Sequence, residues 1–114
     1  MSAYALDVRD DESAEEVVVV LSGELDLTNA REVEERLTAS MRTGCRLVLD
    51  LNRVSFIDSA ALHVLFRLSR SIGPAGLTIA VEPDAPVART LDIVGVPDLI
   101  TVTSAVPKPG ADPA

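Results

Sequence analysis

Short apolar runs and amphipathic stretches alternate along this chain, and their order predicts its architecture. Residues 17–21 (VVVVL) form a continuous branched apolar run, the pattern of a buried strand. Residues 47–51 (LVLDL) and 77–81 (LTIAV) repeat it. Residues 4–8 alternate weakly and predict an edge-like first strand, and residues 99–102 predict a short last one. Between the runs, Ala30, Val33, Leu37 and Met41 recur at helical spacing, with Arg31, Glu34, Glu35, Thr38 and Arg42 at other positions. That helix should stop near Thr43-Gly44. A second helix is expected from Ser59 to about Ile72, ended by the break at residues 73–76 (GPAG). Val87, Leu91 and Val94 predict a third over residues 84–94, with Pro86 in its first turn.

The resulting order is β-β-α-β-α-β-α-β. It implies an α/β fold: one domain with a mixed, mostly parallel sheet of four or five strands packed with amphipathic helices. The first two strands supply the antiparallel contribution. The domain is expected over residues 1–104, and the proline-rich residues 105–114 read as a disordered tail. Three local signals refine this outline. Ser22-Gly23-Glu24 marks a turn or bulge, Asn29 with Glu32 resembles a capping box, and residues 52–57 read as a connection between strand and helix.

Composition narrows the chemistry. Aromatic side chains are limited to Tyr4, Phe56 and Phe66, so the core must be aliphatic. The net charge of −8 is concentrated in residues 1–35, which hold eleven acids against Arg9 and Arg31. An acidic chain with few aromatics argues against nucleic acid as a partner. Cys45 is the single cysteine and His63 the single histidine, so neither a disulfide nor a Cys/His zinc site can form within the chain. Lys108 is the single lysine, and neither GxxxxGKS/T nor GxGxxG occurs, which removes the usual nucleotide cradles. No apolar run approaches bilayer length, and the N-terminus lacks signal-peptide features. The expectation is a cytoplasmic protein without cofactor, metal or membrane partner.

One catalytic arrangement invites testing. Ser59 and His63 are one helical turn apart, and Asp58 is adjacent. A triad needs its acid beyond the imidazole, holding the ring, and Asp58 precedes the serine instead. The expectation is therefore no enzyme. The same helix, wound at 100° per residue, puts Ala61, Val64, Leu65, Leu68 and Ile72 on one face as its core side. His63, Phe66 and Arg70 fall within about 40° of Ser59, with Arg67 further round. Phe66 should then point away from the core, and this strip has the composition of a partner-binding surface. By spacing alone, Ser59 reads first as a plain helix cap.

The segments GELDLTNAREVEERL (residues 23–37), LVLDLNRVSFIDSAALHVL (residues 47–65) and LDIVGVPDLITV (residues 91–102) together resemble a STAS domain. Within that family the resemblance is to the anti-sigma factor antagonists of bacteria, and it covers residues 4–104. It implies a non-enzymatic regulator of transcription that binds an anti-sigma factor acting as a serine kinase. It further implies that the serine after Asp58, which is Ser59, is phosphorylated to switch binding off, and that a phosphatase restores it. Together with the strip read from the helical wheel, the partner-binding residues expected are Asp26, Asp58, Ser59, Ala60, His63, Phe66, Arg67 and Arg70. Ala60 and Ala61 depart from the family pattern, which commonly carries a second hydroxyl residue and a glycine there. That departure leaves Ser59 as the one acceptor at the helix start. The rival reading is a constitutive STAS interaction subunit of a transporter ATPase or a sensory assembly.

Overall fold

The computed structural model describes residues 3–10, 15–73 and 75–104; the tail expected at residues 105–114 lies outside them. Among the described residues nine elements follow one another: β1 (Tyr4–Asp10), β2 (Glu16–Leu25), α1 (Ala30–Ser40), β3 (Arg46–Ile57), α2 (Ser59–Ile72), β4 (Leu77–Ala80), α3 (Ala88–Ile93), a 3-10 turn (Val96–Asp98) and β5 (Thr101–Thr103). The five strands lie in the sheet in sequence order. β1 runs antiparallel to β2, and every later neighbour is parallel.

Parallel neighbours joined by right-handed crossovers collect their helices on one face of the sheet, and the core has that composition. Val17, Val19 and Leu21 of β2, Leu47, Leu49 and Leu51 of β3, and Leu77 and Ile79 of β4 share one apolar cluster with residues of all three helices. Val33 and Leu37 enter it from α1, Val64, Leu65 and Leu68 from α2, and Leu91 from α3. The alternate strand positions Val18, Val48 and Ala80 make a second, smaller cluster. The branched run in β2 is thus buried on both faces, as its lack of alternation implies.

β3 is longer than its sequence pattern suggests, because residues 52–57 are strand and not a connection. Its pairing with β2 continues to Leu25 opposite Ile57, with register shifts after Val20 and after Gly23. Each shift places an extra residue on β3, a bulge that breaks the two-residue period. Val54 and Ile57 therefore both reach the core at a spacing of three. Asn52 sits at the bend: its amide nitrogen donates to Asp50 Oδ1 at 2.9 Å, and its Oδ1 accepts from the Glu82 backbone.

Gly23 lies inside β2 at this irregularity, opposite both Tyr4 and Val54. Its φ of +87° suits glycine, and a Cβ there would stand 2.3 Å from the Ala3 carbonyl oxygen. That oxygen accepts from Glu24 N at 3.0 Å, which fastens the start of β1 to the end of β2.

α3 begins at Ala88, four residues later than the apolar spacing suggests. Pro86 cannot donate within a helix, and residues 83–87 form turns bonded Ala85 N to Glu82 O and Ala88 N to Ala85 O. α1 stops at Ser40, short of Thr43. The helix ends where Met41 turns extended (φ −71°, ψ 142°) and its N–H bonds Thr38 O, a tightened last turn.

Candidate functional site

β3 ends by delivering Asp58 to the start of α2. The backbone of Asp58 is extended (φ −108°, ψ −176°), and its Oδ1 accepts from Ala61 N at 3.1 Å. That is an N-cap bond, so Asp58 and not Ser59 satisfies the helix start. Its other oxygen, Oδ2, accepts from Leu27 N at 3.0 Å, across to the turn between β2 and α1. Asp58 N in turn donates to Leu25 O. One carboxylate thereby holds a helix and a neighbouring loop together.

Ser59 is the first residue of α2 and is exposed. Its hydroxyl makes no hydrogen bond among the described residues. The cap is supplied by the residue before it, which leaves the oxygen open to solvent at the positive end of a helix.

The loop bonded to Asp58 is held in turn by Asn29, which is only 7% exposed. Asn29 Oδ1 accepts from Asp26 N at 3.0 Å, and its Nδ2 donates to the Glu24 carbonyl at 2.8 Å. Asp26 Oδ1 accepts from both the backbone and the hydroxyl of Thr28. The expected capping box is not formed: Asn29 gives α1 no side-chain cap. Its partner Glu32 accepts instead from the Tyr4 hydroxyl, which Arg36 also approaches at 3.2 Å. Burial raises the Tyr4 pKa, and the bond to Glu32 adds to the shift. The loop just before α1 has thus taken Asn29, and a tertiary partner, Tyr4, has taken Glu32.

α1 and α2 lie side by side beyond this loop. Arg67 donates to both oxygens of Glu34 at 2.9 Å, a bidentate fork joining the helices. The hydrogen bonds from Arg67 hold the Glu34 carboxyl below its ordinary value, and the same bonds raise Arg67. A lowered acid contributes stability above its unfolded pKa and loses it as pH falls through the folded value. Wild type should therefore melt slightly above Glu34→Gln at neutral pH, with the gap closing below about pH 4. The effect is small because the pair is half exposed. Thermal melts of both proteins across pH check it; a gap independent of pH would contradict it.

Between the two helices is a shallow cleft of about 390 Å³ lined by Leu27, Ala30, Arg31, Glu34, Ala60, His63 and Arg67. Of the residues singled out by sequence, Ala60, His63 and Arg67 line this cleft, while Asp58 and Ser59 stand at its edge by chain position. Asp26 lies in the adjoining loop. Arg70 is exposed on α2 but does not line the cleft. Phe66 departs from expectation: it is half buried and packs against the core. The buried arc of α2 is wider than the wheel suggests, because Leu62 is buried as well at 7% exposure. The exposed aromatic is Phe56, at 48%. Leu27, at 78% exposure, lies in the turn before α1, where neither a helical nor a strand period applies. Among the described residues no group of three or more potential metal ligands occurs, and no helix is long and apolar enough to cross a membrane.

Comparison with known families matches the STAS domain over residues 5–108. The chain belongs to the STAS domain family. This STAS domain is 27% identical over 100 residues to the anti-sigma-B factor antagonist of Bacillus subtilis, covering 87% of this chain and 90% of that protein. Its fold matches the crystal structure of an anti-sigma factor antagonist from Mycobacterium paratuberculosis with a TM-score of 0.78 at 24% identity, over 91% and 88% of the two chains. It also matches the anti-sigma factor antagonist SpoIIAA in its unphosphorylated form, with a TM-score of 0.62 at 20% identity over 90% of each chain.

Proposed function

We propose that this STAS domain is an anti-sigma factor antagonist. In this reading it binds an anti-sigma factor kinase through the surface around Ser59, and phosphorylation of Ser59 switches it off. A phosphatase acting on phosphorylated Ser59 restores binding. The observation that carries the reading is the exposed Ser59 hydroxyl, left without a structural duty because Asp58 caps α2. The names of the similar proteins support the class of partner.

The physics of the switch is consistent with this placement. A phosphoserine adds a charge of about −1.5 to −2. At a helix N-terminus that charge is favourable by about 0.3–1 kcal/mol, so the domain stays folded. Enclosed in an interface beside the Asp58 carboxylate, the same charge lacks a partner and costs several times more. Modification therefore acts on association and leaves the fold alone.

The test is to incubate the protein with a kinase-type anti-sigma factor and ATP, then map the phosphate by mass spectrometry. Wild type should carry one phosphate, on Ser59, and Ser59→Ala should carry none. A modified Ser59→Ala would remove the site assignment. Binding with no modification of wild type would replace the switch with a constitutive interaction module.

A further inference from the structure

We infer that a second copy of this chain docks along the free edge of β1, joining the two sheets through an antiparallel β1–β1 pair centred on Val8. β1 stands at the end of the sheet, with β2 as its one neighbour among the described residues. Its backbone groups alternate between β2 and the open side. Ala3 O accepts from Glu24 N, which makes Ala5, Asp7 and Arg9 the residues hydrogen-bonded to β2. The amides and carbonyls of Leu6, Val8 and Asp10 therefore point outward. Arg36 of α1, not a strand, reaches Leu6 O at 3.5 Å, as that direction requires. Asp7, Val8, Arg9 and Asp10 are all exposed. An open edge of this length is a template for another strand. β5, at the far end of the sheet, offers three residues only.

Charge selects the occupant. The edge reads Asp7-Val8-Arg9, which is its own complement when the strand is reversed. Centring the pair on Val8 sets Asp7 opposite the partner's Arg9, and Arg9 opposite the partner's Asp7. These are non-hydrogen-bonded positions, where side chains across an antiparallel pair stand closest. Within one copy Arg9 Nε already bonds Asp7 Oδ2 at 3.3 Å, and both side chains are more than half exposed. That bond is no obstacle, since a guanidinium has five donors and a carboxylate about four acceptor sites. The two pairs within the copies and the two between them close a ring of alternating sign. Other registers lack it: centring on Asp7 or on Arg9 sets like charges opposite each other, and centring on Leu6 leaves Asp7 facing Ala5. Leu6 O keeps a second lone pair for the partner's Asp10 amide. Two-fold symmetry uses the same edge on both copies, so the contact closes at a dimer. The net charge of −8 on each copy opposes association at low salt, but repulsion beyond about 8 Å is screened at physiological ionic strength. No residue of β1 lines the cleft beside Ser59, and the inference is independent of how that surface is read.

The experiment is sedimentation equilibrium at physiological ionic strength on wild type, Asp7→Arg, Arg9→Asp and the double exchange, with melting curves recorded at dilutions where the monomer dominates. Wild type should show a monomer–dimer equilibrium. Each single exchange should weaken the dimer about tenfold or more, because two attractive pairs become two repulsive ones. The monomer's melting temperature should stay close to that of wild type, both side chains being exposed. An equimolar mixture of the two single variants should regain the lost association, since each copy's two like charges then face the other's two opposite ones. The double exchange should regain it alone. Recovery on mixing cannot come from repair of a damaged fold, so it reads the interface itself. A wild type that stays monomeric up to about 1 mM would overturn the inference. Single variants that dimerise as wild type does, or a mixture that stays monomeric, would place any contact elsewhere and overturn it equally.

Discussion

Ser59→Asp is expected to weaken binding to the anti-sigma factor by about a hundredfold or more, with the melting curve close to that of wild type. The size follows from leaving an unpaired charge in an interface, which costs about 3–5 kcal/mol where a buried partner is missing. Each 1.4 kcal/mol is about tenfold in affinity. The new carboxylate would stand next to Asp58, whose two oxygens are already bonded to Ala61 N and Leu27 N. No second cap site is vacated for it. The fold tolerates the change because Ser59 is exposed and a negative charge at the start of a helix is favourable. Calorimetry and thermal melting measure the two halves separately. A collapsed melting curve would show that the serine is a structural residue.

Gly23→Ala is expected to destabilise the domain by about 1–3 kcal/mol, read as a drop of several degrees in melting temperature. The added Cβ would stand 2.3 Å from the backbone oxygen of Ala3 and 3.0 Å from the Cα of Tyr4, and backbone gives way less easily than the tip of a side chain. The φ of +87° adds strain of its own. Relief requires the start of β1 to move away from β2, which breaks the Glu24 N to Ala3 O bond and loosens Tyr4 from Glu32. Faster amide exchange at Glu24 would report that movement. An unchanged melting temperature would mean that β1 contributes little to holding the sheet edge.

What could be read from the sequence depended on whether one signal or several acted on a residue. The continuous runs in β2, β3 and β4 were plain because both faces of the sheet are covered at Val17, Val18, Leu47 and Val48. The start of α2 was legible to within one residue: Asp58 and Ser59 both have short oxygen-bearing side chains suited to a cap, and only the structure assigns the cap to Asp58. Where two influences competed, local pattern lost. Asn29 and Glu32 have the spacing of a capping box, but the preceding loop claimed Asn29 through the Glu24 carbonyl, and the Tyr4 hydroxyl, 28 positions away, claimed Glu32. Val54 and Ile57 belong to the core, yet bulges in β3 removed the alternation that would have announced them. Phe66 was assigned to the surface by angle, while Leu62 shows that the buried arc of α2 extends to that side. Leu27 had no periodic signal at all. Its amide is fixed by Asp58 Oδ2 in a bond between residues 31 positions apart, which no spacing rule reports.

A phosphate on Ser59 is expected to separate binding from folding. The most direct measurement titrates one anti-sigma factor, loaded with its sigma factor, with unmodified protein and with protein phosphorylated stoichiometrically at Ser59. The account predicts that the unmodified protein binds and displaces the sigma factor, while the phosphorylated protein is folded, with an unchanged melting curve, and binds about a hundredfold or more weakly. Equal affinity of the two forms would contradict it.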